Sequence, residues 1–142
     1  MDNFKAFSAF LGAVMGYVFG DWDGFILALI IFIIIDYVTG VISAICNKKL
    51  SSSVGFHGIL KKIFILLLVA VGNILDGVLG LGGVIRSAVI FFYIANEGIS
   101  IIENAANIGL PVPQKIKDIL EQLKKDSDDD DNKEENEDDG NK

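Results

Sequence analysis

The sequence predicts an all-α integral membrane protein with about three transmembrane helices. Three observations point there. The chain is 51% hydrophobic over its 142 residues, whereas a soluble domain usually sits near 45–50% apolar. Its net charge of −7 is concentrated in a tail: residues 126–142 hold ten Asp/Glu against two Lys, which leaves residues 1–125 near neutral. The apolar residues gather into runs of about twenty, the length a helix needs to cross a hydrocarbon core of ~30 Å. These runs divide the chain into an N-terminal apolar segment (1–24), a membrane domain (25–108), an amphipathic helix (109–125) and an acidic tail (126–142).

Residues 6–20 form the first apolar run. It lacks the basic n-region and small-x-small site of a cleaved signal peptide. It is also shorter than the ~20 residues a span needs, so an interfacial position and a tilted span both stay open. Asp21-Trp22-Asp23-Gly24 ends it, with Trp22 suited to the headgroup zone. Residues 25–46, FILALIIFIIIDYVTGVISAIC, make the first clear span, about 33 Å of helix at 1.5 Å per residue. Residues 47–58 read as a loop, with three serines as N-cap candidates and Gly55 and Gly58 as punctuation. Residues 59–79 are the second span, with Lys61 and Lys62 near its start, placed to snorkel to the headgroups. A glycine turn, 80–83, leads to a third, less apolar span at 84–104.

Gly109, Pro111 and Pro113 stop that helix. Beyond them Ile116, Ile119, Leu120 and Leu123 fall on one helical stripe, with Lys115, Lys117, Lys124 and Lys125 elsewhere. Such a helix either packs on a partner or lies in the membrane interface, and the adjoining spans favour the interface. The tail cannot bury apolar area and is expected to be disordered.

Lysines set the expected orientation, because positive charge marks the cytoplasmic side. Lys48, Lys49, Lys61 and Lys62 flank the first loop, and only Arg86 follows the glycine turn. The first loop and the C-terminus are then cytoplasmic, and the side of the N-terminus depends on whether 6–20 spans.

The polar residues inside the spans are the candidate functional positions. A charged side chain at a helix centre costs about 2.5–3.5 kcal/mol on insertion scales. Asp36, Gly40, Ser43, Ala44 and Asn47 share one small, polar face of the first span, and Gly40 and Ala44 have the spacing that lets helices approach closely. The second span carries Asn73 and Asp76, and the third Asn96 and Glu97. These residues are expected to form a helix-contact or lumen face, or to be hydrogen-bonded within one small bundle. Only Arg86 offers a positive charge at comparable depth, so the carboxylates outnumber their membrane partners. A body of three helices has little room for a private cavity, which favours self-assembly.

No P-loop, nucleophile elbow, HExxH or Rossmann fingerprint is present. Cys46 is the single cysteine and His57 the single histidine, so neither a disulfide within the chain nor a metal site is expected. Cofactors, catalysis and nucleic-acid binding are not expected.

Two blocks together resemble the phage holin family that includes clostridial toxin-release holins. The first is Asp36-Tyr37-x-Thr39-Gly40 followed by Lys48-Lys49-Leu50-Ser51-Ser52, Gly55, Gly58 and Lys61-Lys62. The second is Tyr93-x-x-Asn96-Glu97-x-x-Ser100-Ile101-x-Glu103-Asn104, then Gly109-x-Pro111-x-Pro113. With DWDG before them, the resemblance runs from about Asp21 to Leu123. It implies a protein of the bacterial host's cytoplasmic membrane that oligomerises and opens lesions, releasing an endolysin or, in relatives, a toxin. Its partners are then the lipid bilayer, further copies of itself and, without required contact, an endolysin. The strongly acidic tail departs from the usual short basic ending. A small transporter or ion channel, an antiholin-type regulator and a membrane anchor are the rival readings.

Overall fold

The computed structural model describes residues 2–137, and among them the chain forms five helices and no strand. They are α1 (Asp2–Phe19), α2 (Gly24–Cys46), α3 (Ser52–Leu79), α4 (Val84–Asn107) and α5 (Gln114–Glu137). Three of them, α2, α3 and α4, are long and apolar enough to cross a membrane. The apolar run at 6–20 lies in α1, a shorter apolar helix that is not among these three.

Each boundary has a local cause. Asp23 caps α2, its Oδ1 accepting from the backbone N–H groups of Phe25 and Ile26 at 3.0 Å each. The other end closes with the Lys48 amide donating to the Ile45 carbonyl (3.1 Å) and the Lys49 amide to that of Ala44 (2.8 Å). This pair of hydrogen bonds needs a left-handed residue between helix and loop, and Lys48, at φ 54°, supplies it without being glycine. Ser51 opens α3, its hydroxyl accepting from the Val54 amide at 3.2 Å. Gly80, at φ 68°, ends it.

Several boundaries differ from the sequence reading. Helix α3 begins at Ser52, not near 59, so the loop shrinks to residues 47–51. Gly55 and Gly58 lie within the helix, where they face the Tyr37 ring of α2: a Cβ on Gly58 would sit 3.6 Å from the ring, and one on Gly55 3.7 Å from the hydroxyl, both ordinary van der Waals distances. Neither makes a turn. Helix α4 extends to Asn107, and α5 continues past Lys125 into the stretch expected to be disordered. Residues 138–142 of that tail lie outside the described residues.

The core is a short seam between the three long helices. Ile26, Leu29 and Ile33 of α2 meet Ile65 and Val69 of α3 and Ile90 of α4. Helices α3 and α4 pack backbone against backbone at Gly72, where a Cβ would come within 3.2 Å of the Arg86 Cα. Most other large apolar side chains point outward, among them Ile31, Ile34 and Val38 of α2 and Ile63, Phe64 and Leu67 of α3. Exposed apolar surface on this scale marks a surface built for lipid. Helix α1 is also largely open along its length, and is tied down at its end, where the Asn73 amide donates to the carbonyls of Tyr17 (3.0 Å) and Val18 (3.2 Å). Helix α5 folds back against α4, with Leu120 seated on Gly98.

Candidate functional site: two polar centres in the bundle

The first centre joins all three long helices. The Lys62 ammonium of α3 donates to carboxylate oxygens of both Asp36 on α2 and Glu97 on α4. At 1.5 Å per residue each of these residues lies about 15 Å from the helix end nearest the 47–51 loop, so they meet at one depth near mid-span. Asn104 completes the cluster. Its amide donates to Asp36 Oδ1 and to the Thr39 hydroxyl, each at 3.0 Å. The Thr39 hydroxyl donates in turn to the Asp36 carbonyl at 3.1 Å. Glu97 is buried and the Lys62 and Asp36 side chains are nearly so. Among the described residues no buried side-chain polar atom lacks a partner, as a low-dielectric interior demands.

Lys62 therefore corrects the sequence reading. Placed near the start of its span it would reach the headgroups. Placed ten residues after Ser52 it lies inside, and the carboxylates gain the basic partner that Arg86 alone was expected to provide. Lys61 stays exposed, as do Lys48 and Lys49 at the loop.

Beside the triad a cleft of about 570 Å³ opens between α2, α3 and α4. Asp36, Gly40, Ala44, Asn96 and Glu97 all line it, so one space gathers five of the singled-out positions. Gly40 lies on its near wall beside the Asn104 amide, which a Cβ there would meet at an ordinary van der Waals distance of 3.6 Å. Ser43 is instead buried, its carbonyl accepting from the Asn47 side chain at 2.9 Å. Asn104, Thr39 and Tyr37 were not among the candidates. Their signal was the run Asp36-Tyr37-x-Thr39-Gly40 and the second motif block, which paired Asn104 with Glu103.

The second centre holds the opposite end of the bundle. Asn73 and Asp76 belong here and do not join the cleft. The N-cap of α4 is Gly83, which offers no side-chain cap. Asp76 of α3, itself buried, supplies one from across the turn, accepting from the amides of Ile85 (3.0 Å) and Arg86 (2.7 Å). The buried Arg86 side chain then reaches the α1–α2 corner. Its Nε donates to the Phe19 carbonyl (2.7 Å), Nη2 to the Asp21 carbonyl (2.7 Å) and Nη1 to Asp23 Oδ2 (2.9 Å).

The Arg86 hydrogen bond, opposed by partial burial, holds the Asp23 carboxyl below its usual value of 3.8. A depressed carboxyl contributes stability above its unfolded value and loses it as pH falls through the folded one. The tie is therefore complete at neutral pH and weakens only below about pH 3.9, the unfolded aspartate value. Thermal unfolding in detergent, followed against pH, should show this acid loss on top of that from other carboxyls, and Asp23→Asn should remove Asp23's share.

Three apolar helices and charges satisfied inside the bundle define a multi-pass cell membrane protein. Over residues 13–125 the chain matches the family described as the bacteriophage holin family. It is 42% identical over 112 residues to a probable holin of Bacillus phage phi105, covering 79% of this chain and 82% of that one. It is 45% identical over 114 residues to an uncharacterized 14.9 kDa protein in the nagH 3′ region of Clostridium perfringens, covering 80% and 86%. An uncharacterized Listeria innocua protein, Lin0175, is 47% identical over 109 residues, covering 77% and 78%. No solved structure matches. The chain belongs to the bacteriophage holin family.

Proposed function

We propose that the chain is a lesion-forming holin: it accumulates in the cytoplasmic membrane, oligomerises, and opens passages that release an endolysin or, in a toxin-bearing host, a secreted protein. Family membership supports the class. The observation that supports the mechanism is Lys62 shared between Asp36 and Glu97 at mid-span. While these charges satisfy one another inside one chain, the outward faces of α2 and α3 are apolar and compatible with lipid. At high density the cleft face of Asp36, Gly40, Ala44, Asn96 and Glu97 pairs with the same face of other copies and lines water. Ser43, Asn73 and Asp76 hold that face in place from behind and from the far end. Lys48, Lys49 and Lys61 keep the first loop, and with it the C-terminus, on the cytoplasmic side. No catalytic step is involved.

Induction in a bacterial host with a cytosolic endolysin tests this. The expected result is normal growth, then an abrupt halt with lysis that requires the endolysin. Uninterrupted growth with the chain abundant in the membrane would exclude the lesion.

A further inference from the structure

Helix α5 sits where a fully inserted bundle cannot keep it. Leu120 is buried against Gly98 of α4, and a Cβ on Gly98 would meet its methyls at 2.8 and 3.0 Å and the Phe32 ring of α2 at 3.2 Å. Gly98 lies nine residues before the end of α4, about 14 Å along the helix. That is close to the midplane of a ~30 Å hydrocarbon core crossed by α4. Around Leu120, however, α5 carries Lys115, Lys117, Asp118, Glu121, Lys124 and Lys125. Docked α5 would carry these charges into the hydrocarbon, so docking and full insertion of α4 exclude each other.

A second observation points the same way. Docking uses only part of the α5 stripe: Leu120 is 8% exposed, but Ile116 and Ile119 are 48% and 52% exposed. On a lipid surface the whole stripe is buried at once while the lysines stay in water. Helix α5 thus has two seats, and the second satisfies more of it.

Resting on the holin reading, we propose that α5 is a detachable strap: docked, it covers the Gly98 notch, and released to the interface, it leaves that notch to a helix of a second copy. The notch suits a helix because a glycine in an apolar wall permits close backbone approach, which is what drives association in lipid. The occupant is a second copy, whose α2 and α3 present apolar side chains, Ile31, Ile34 and Val38 and Ile63, Phe64 and Leu67, that one chain leaves exposed.

The test is the full-length chain carrying Gly98→Cys and Leu120→Cys in a Cys46→Ser background, in bacterial membranes. Oxidation should form the disulfide, trap the monomer and abolish the oligomer ladder seen on amine cross-linking; reduction, which frees α5 but leaves a thiol in the notch, should restore the ladder in part. Leu120→Ser, which loosens docking without a cross-link, should oligomerise at lower density than the unaltered chain. Failure of the disulfide to form while each single cysteine reacts with a thiol reagent would overturn the strap. So would a locked chain that assembles like the reduced one. Dye release from the same membranes separates the two ideas: a reduced chain that assembles yet releases nothing contradicts the lesion and leaves the strap standing.

Discussion

Lys62→Met is expected to cost about 3–5 kcal/mol, the range for removing one partner of a buried ion pair. The change leaves Asp36 and Glu97 with no cation between them at mid-span. Asn104 still donates to Asp36, but among the described residues Glu97 has only Lys62 as a side-chain donor. The variant should melt well below the wild type in detergent and accumulate poorly in membranes. The companion variant decides the cause. Asp36→Leu, Lys62→Met and Glu97→Met together remove every charge of the triad, and buried triads replaced by apolar residues of similar volume are often as stable as charged ones. This triple variant should recover the melting temperature while changing lysis timing, because the charges that would re-pair between copies are gone. A single Lys62→Met chain with wild-type stability and timing would show that the triad does not form in the membrane.

Arg86→Ala should also be damaging, on the order of 3 kcal/mol for carbonyls left without their charged donor, at the other end of the molecule. Much of the loss comes from the Phe19 and Asp21 carbonyls, since the Asp23 carboxylate is about a third open to solvent and its pair is correspondingly screened. Arg86→Lys should recover only part. A guanidinium sends rigidly spaced donors in several directions, whereas an ammonium is a single point at the end of a flexible stem. Lysine cannot reach both carbonyls and the carboxylate together. The readout is local: residues 20–23, which connect α1 to α2, should become open to protease in both variants, with the alanine variant cut faster.

Much of the fold was legible because lipid imposes simple rules on sequence. The three apolar runs, the glycine turn and the Pro111/Pro113 stop reappear as α2, α3, α4 and the connections between them. Asp36, Gly40 and Ala44 shared a face by spacing alone, and that face lines the cleft. What was hidden depends on partners distant in the chain. Gly55 and Gly58 look like loop glycines until Tyr37, on another helix, is seen against them. Moving the start of α3 back to Ser52 carries Lys62 about 15 Å into the helix and turns a headgroup anchor into the centre of a triad. Arg86 meets Asp23 across 63 positions of sequence, and no local pattern announces such a pair. The α5 stripe was visible, but not that a glycine on α4 would receive its leucine.

The most direct measurement is cargo release from lipid vesicles holding the purified chain at increasing density, with a small dye and an endolysin-sized protein enclosed together. A holin should release neither at low density, then both together above a threshold, and the threshold should move in the triad-neutralised variant. Release of the dye alone, rising in proportion to protein from the lowest density, would mean a channel in each chain and would contradict the assembled lesion.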